Sequence, residues 1–227
     1  MVNNSYFCSI NVQCSMNREL LHFIDKEILP QYDHFDAAHQ RNHAMTVIEE
    51  SLHLATGYDV DFDMVYVIAA YHDLGLCEGR EIHHLASGRI VRNDHRLLRW
   101  FTSEQIEVMA QAVEDHRASA QHAPRSIYGR IVAEADRNID IDVIITRTLQ
   151  YGLTHYPEMD TEGHIRRALQ HLNEKYSRTG YLRLWIPGSR NECELHRLWN
   201  LIDNQPAIRQ MVADKLTVLL REEQSEL

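Results

Sequence analysis

Residues 67–91 read VIAAYHDLGLCEGREIHHLASGRIV. An apolar run closes on His72-Asp73, Gly75 follows, and a second histidine pair, His83-His84, arrives ten residues after Asp73. A segment apolar nearly all round is what a buried central helix carries. The acidic residues Asp59, Asp61 and Asp63 ahead of it suit a helix N-terminus. A central helix over residues 59–75 therefore ends in two polar groups that are costly to bury without partners.

Helical periodicity extends in both directions. Asn17–Pro30 spaces its apolar residues at helical intervals and stops at a proline. The stretch 35–57 follows, with Gly57 in the place of a C-cap. HHLASGRIVRND reads as a short helix, and TSEQIEVMAQAVEDHRAS opens on a Thr/Ser cap with Glu and Gln close behind. Residues 124–153 give one or two helices more, and 161–177, 191–204 and 205–224 complete the set. Strand-like alternation is confined to SINVQC near the start. The pattern predicts an all-α chain: a flexible segment over 1–16, then one helical-bundle domain over 17–227. Near Tyr176 the character changes to the aromatic, basic SRTGYLRLWIPGSRN, read as the start of a C-terminal extension or lid over 176–227. Within it Trp185 serves either as a core residue or as a stacking surface for a base, with Arg183 or Arg190 near a phosphate.

The composition narrows the function classes. With 44% hydrophobic and 25% charged residues, the 227-residue chain is long enough to bury a substantial core. A formal charge of −10 argues against a nucleic-acid polymer as partner. A small anionic substrate stays compatible, because a bound metal inverts the local potential. Cys8, Cys14, Cys77 and Cys193 show neither zinc nor disulfide spacing and read as free thiols of a reducing compartment. With neither a secretory leader pattern nor a long apolar run, the expectation is a cytoplasmic protein with no membrane partner. Nothing in the pattern sets the oligomeric state.

The chain has 15 histidines, concentrated between His34 and His122. Chance alone supplies roughly one His-Asp dipeptide at this composition, so the weight of His72-Asp73 comes from its company. His43 lies upstream, with His39 a helical turn before it. His83 and His84, then His116 and Asp136, lie downstream, several of them against apolar neighbours. Imidazoles and carboxylates on three helices converge most economically on a cation. Without paired thiolates, a divalent ion held by N and O ligands is the natural candidate.

The order His43, His72-Asp73, Asp136 resembles the HD-domain superfamily of metal-dependent phosphohydrolases, in particular its small bacterial stand-alone members. AAHQRNHAMTV is similar to their opening motif, AAYHDLG to the central helix, VEDHRAS to the third histidine, and RIVAEADR to the segment ending in the last metal aspartate. The likeness spans about residues 36–145. It departs from the pattern at Gln40 and Thr46, where the opening motif has Asp and Arg, and at Gly75, where no glutamate follows the His-Asp pair.

The resemblance implies an HD-type helical domain in which His43, His72, Asp73 and Asp136 bind a divalent ion (Mn, Fe, Mg, Co, Ni or Zn). HHLASG is similar to the His-x-x-x-Gly segment of the two-metal branch, which puts His84, or His83 in its place, with Gly88 closing the segment, and His116 on a second ion and makes Asp73 the bridge. Two ions about 3.5–4 Å apart activate a shared hydroxide. Asp73 and His116 are then the catalytic candidates, and Arg80, Arg117 and Arg137 the candidates for gripping the phosphate of a small phosphorylated substrate. Two alternatives stay open: a di-iron oxygenase on the same fold, and a non-enzymatic sensor of a phosphoryl ligand.

Overall fold

A computed structural model describes residues 16–36, 39–120 and 122–225 and contains, among them, ten α-helices and no strand. Contacts divide the chain into two compact units. In the unit ending at Arg137 the helices are α1 (Arg18–Phe23), α2 (Arg41–Ala55), α3 (Phe62–Tyr71), α4 (His83–Asn93), α5 (Ser103–Glu114) and α6 (Ile127–Ala135). In the unit Asn138–Leu227 they are α7 (Ile141–His155), α8 (Thr161–Tyr176), α9 (Arg190–Asp203) and α10 (Gln205–Ser225). The division falls earlier than the change of character near Tyr176, because α7 and α8 pack on each other and on α10. The expected N-terminal segment and SINVQC lie outside the described residues, save for Met16, which is buried. Cys77 and Cys193 are free and exposed. No helix among the described residues is long and apolar enough to cross a membrane.

The first unit is built around α3. The Asp61 carboxylate caps its start, accepting from the Asp63 and Met64 amides at 2.9 and 3.3 Å. From Met64 to Tyr71 every side chain is buried, and α2, α5 and α6 pack around it. Such a helix has no solvent face, which is why its sequence shows little amphipathic alternation. α5 opens on the capping box foreshadowed by its sequence: Gln105 N donates to Thr102 Oγ1, and Thr102 N donates to Gln105 Oε1.

Two helices differ from the sequence reading. The first helical stretch is α-helical only to Phe23, widens into a π-turn at Ile24–Ile28 and tightens to a 3₁₀-helix at Leu29–His34. Pro30 has no N–H for the carbonyl four residues back, so the α-helical ladder cannot continue through it. α2 starts at Arg41, not near 35. His39 therefore lies in a turn ahead of the helix, its amide bonded to the Asp36 carbonyl at 2.9 Å and its Nδ1 2.8 Å from Asp36 Oδ1. It does not share a helical face with His43.

Glycines govern the turn that follows α3. Gly79, at φ +105°, takes the left-handed corner between the 3₁₀-turn Leu74–Glu78 and the approach to α4. A Cβ on Gly75 would stand 2.1 Å from the His83 carbonyl oxygen and 2.5 Å from the Ser87 amide. Only glycine lets that turn lie against the start of α4, where the Gly75 amide donates to Ser87 Oγ at 2.8 Å.

In the second unit, side-chain caps start α7 from Asp140, α8 from Asp160 and α9 from Ser189. The aromatic connection 177–189 has no regular structure, and Leu182 and Ile186 are its buried anchors.

Candidate metal centre

Five helix ends deliver side chains to one place. His43 stands in the first turn of α2, His72 and Asp73 directly follow α3, and His83 opens α4. His116 comes just past α5, and Asp136 caps the C-terminus of α6.

The Asp73 carboxylate is the hub. Its Oδ2 lies 3.6 Å from His43 Nε2 and 3.3 Å from His72 Nε2. Its Oδ1 lies 3.5 Å from His83 Nε2 and 3.4 Å from His116 Nε2. Asp136 Oδ1 joins the first group, 3.2 Å from His43 Nε2 and 3.8 Å from His72 Nε2. The ligand atoms of His43, His72 and Asp73, and those of Asp73, His83 and His116, each gather within 4.8 Å and can hold a metal ion.

The tautomers fit a cation. His72 Nδ1 is 2.7 Å from the Ala69 carbonyl, His83 Nδ1 2.7 Å from that of Arg80, and His116 Nδ1 2.6 Å from that of Val113. A carbonyl oxygen only accepts, so each Nδ1 carries a proton, which leaves Nε2 as the nitrogen of each ring that can offer its lone pair inward to an ion. Those lone pairs meet one another, with His72 Nε2 3.2 Å from His43 Nε2 and His83 Nε2 3.1 Å from His116 Nε2. Nitrogen lone pairs and two carboxylates at these distances repel unless protons or metal ions stand among them. Carbonyl partners on the outer nitrogens are also the usual arrangement for imidazoles that ligate metals.

Electrostatics agree. Burial opposes ionisation of Asp73, but His72, His116 and His43 hold its carboxyl far below the usual carboxylate range. Burial opposes ionisation of Asp136 as well, although its side chain stays partly exposed, and His43 and His72 chiefly lower it. Burial works against His43 too, yet the Asp136 and Asp73 carboxylates bring it up to about 9, and Asp73 raises His116. Without a metal, protons supply the positive charge, and an entering ion displaces them.

Of the two candidates in the second histidine pair, it is His83, and not the His84 that the motif favours, that comes to Asp73. His83 opens the helix and reaches Asp73 because Gly75 lets the two segments touch. His84, about 100° further round α4, keeps a buried Nδ1 without a hydrogen-bond partner, and burial with Arg117 nearby lowers it to about 4. The three arginines behave differently. Arg80 is exposed, with Nη2 3.4 Å from His39 Nε2. Arg117 donates to the Glu81 carbonyl. Arg137 lies just past α6, is buried and folds back onto the Ala133 carbonyl of that helix, which removes it from the groups free to grip a phosphate. Arg125, also close to the motifs in sequence, is neutralised by Asp115 and Glu114.

Sequence reading missed Tyr32. Its hydroxyl, fully buried, donates to the Ala70 carbonyl at 3.0 Å and accepts the Asp73 amide at 3.3 Å, tying down the backbone of the hub. Forty-one residues separate Tyr32 from Asp73, and no local pattern marks the contact.

Residues 41–138 match the family model described as HD domain. HD domains bind divalent metal ions, and their superfamily is of the metal-dependent phosphohydrolase type. No curated protein and no solved structure matches the chain.

Proposed function

We propose, with the HD domain of residues 41–138 as the premise, that this protein hydrolyses the phosphate ester of a small metabolite with the help of two divalent ions that share Asp73. The observation that carries the reading is the division of the Asp73 carboxylate, one oxygen toward His43 and His72 and the other toward His83 and His116. His43, His72 and Asp136 would hold one ion, and His83 and His116 the other. When bound, such ions make water acidic enough to attack at neutral pH and offset the charge on a transferring phosphoryl group.

The chain's own residues prepare the site. The carbonyls of Ala69, Arg80 and Val113 fix three imidazoles in the tautomer that ligation needs. Tyr32 holds the Asp73 backbone. His72, Asp73 and His116 are closed to solvent, while the side chains of His43 and Asp136 are each 23% exposed. Water and substrate therefore enter on the His43–Asp136 side. Of the three arginine candidates, Arg80 and Arg117 stay available to a phosphate. His116, with Nε2 turned to Asp73, acts as a ligand and not as a proton donor.

The test is hydrolysis of a generic phosphoester and of a nucleotide and sugar-phosphate panel by protein loaded with Mn, Mg, Co, Ni or Fe. Turnover that disappears in Asp73→Asn, with the helical fold retained, is the expected result. Absence of turnover by folded, metal-loaded protein sinks the reading. The histidine-rich set around a bridging carboxylate also suits a di-iron oxygenase. Retention of iron together with substrate-dependent oxygen uptake would select that reading instead.

A further inference from the structure

Between α7 and α8, wholly within the second unit, lies a cavity of about 440 Å³. Helical register builds its walls. Arg167, His171 and Lys175 recur at four-residue spacing along α8, and Ile144, Arg147 and Tyr151 at three and four along α7, so each helix gives one face to the cavity. Three permanent cations line it, and no carboxylate does. The ion pairs of this unit form elsewhere, as Arg178–Asp203, Arg197–Glu194, Arg209–Glu162 and Lys215–Asp142. Among the described residues, Arg147, Arg167 and Lys175 thus line one concave surface and form no ion pair, and the Glu174 carboxylate that acts on His171 does not line it. Like charges around one cavity raise the local potential and draw in an anion.

Arg167 is fixed in advance. Its guanidinium donates to the Thr148 carbonyl, and its centre lies 5.5 Å from the Tyr151 ring and 5.7 Å from the Tyr156 ring. Gly152 makes the room, since a Cβ there would stand 2.8 Å from Arg167 Nη2. Arg167 Nε is buried and has no acceptor. Burial, then Lys175 and Arg167, push the His171 imidazole below its ordinary value, which leaves it neutral at physiological pH and able to accept a hydrogen bond as well as donate one.

The geometry points to a binding site for a small phosphorylated molecule in this cavity, with its phosphoryl oxygens on Arg147, Arg167 and Lys175 and its less polar part against Tyr151 and Ile144. The volume lies in the range of small-molecule sites, about 300–1,000 Å³. A phosphoryl dianion offers one terminal oxygen to each of the three cations and offsets two of their charges, whereas a monocarboxylate offers two oxygens and offsets one.

Calorimetric titration of metal-free protein, kept in chelator, tests the site without help from the metal centre. The probes are pyrophosphate and adenosine monophosphate, with adenosine as the uncharged control. Saturable binding of both anions, weakening with salt, and none of adenosine is the expected result. Arg147→Gln/Lys175→Gln, both on partly or fully exposed side chains, should weaken binding by roughly tenfold or more. Asp73→Asn should leave it unchanged. Equal affinity in the double variant, loss of binding in Asp73→Asn, or no saturable binding at millimolar anion would each overturn the proposal. None of these outcomes depends on whether the protein hydrolyses anything.

Discussion

Gly75→Ala is the substitution that most sharply separates the two halves of the candidate metal centre. The new methyl would sit 2.1 Å from the His83 carbonyl oxygen, 2.5 Å from the Ser87 amide nitrogen and 2.7 Å from Ala86 Cβ. Two of these neighbours are backbone atoms of α4, and no rotamer change relieves them. The turn and the helix start must part by more than about 1 Å, an overpacking cost of about 1–3 kcal/mol. Separation also stretches the buried hydrogen bond from the Gly75 amide to Ser87 Oγ, at about 1 kcal/mol more. The expected loss of folding stability is therefore about 2–4 kcal/mol.

The residue forced to move is His83 itself. Its Nε2 leaves Asp73 Oδ1 and His116, while His43, His72 and Asp136 keep their places on other helices. Equilibrium urea unfolding should show the destabilisation, and metal analysis of folded protein should show one ion, against the two expected of the unaltered protein. Gly88→Ala is the control. Its methyl meets mainly the movable Glu114 side chain, with the Ala110 carbonyl at 3.0 Å, and it touches no candidate ligand, so it should cost less and leave metal content unchanged. Wild-type stability together with both ions in Gly75→Ala would refute the reasoning.

Further outcomes follow from single contacts. Tyr32→Phe strands the buried Ala70 carbonyl and Asp73 amide, so it should cost about 1–3 kcal/mol in urea unfolding and loosen metal binding in a competition titration; an unchanged metal affinity would deny Tyr32 its positioning role. His83→Ala should lose one ion while His84→Ala keeps both, and the opposite pattern would restore His84 as the ligand. The Arg92 hydrogen bond pulls Glu107 from its ordinary 4.5 down to about 2, and Arg92 with Arg125 outweighs burial in lowering Glu114. Depressed carboxylates stabilise the fold above their unfolded values, and that contribution is lost as pH falls from 4.5 toward 2. The urea midpoint should drop across that window, more shallowly in Arg92→Gln, and equal slopes would contradict the assignment.

Much of this architecture is legible in the sequence because it rests on local rules. The Asp61 and Thr102 caps, the apolar α3 and the periodic α5 announce themselves through spacing that physical chemistry dictates within a few residues. The gathering of His43, His72, Asp73, His116 and Asp136 was inferable because burying each alone would be costly, so their burial required company. Three features escaped. Choosing between His83 and His84 needs the exact phase of a helix whose start is set by Gly75 and Gly79. The 40–41 junction of α2 depends on the Asp36–His39 turn, which competes with an earlier helix start. Tyr32 acts through a contact between segments far apart in the chain. Arg137 shows the opposite error: adjacency to Asp136 suggested a phosphate grip, but the chain leaves α6 at Asp136 and the Arg137 guanidinium turns back onto the Ala133 carbonyl.

The central claim is that one carboxylate holds two ions. A manganese-soaked crystal measured at the metal's anomalous edge tests it directly. Two peaks, one within bonding distance of Asp73 Oδ2 and His72 Nε2 and the other of Asp73 Oδ1 and His116 Nε2, are the predicted result. A single peak away from Asp73, or none in protein that binds manganese in solution, would contradict it.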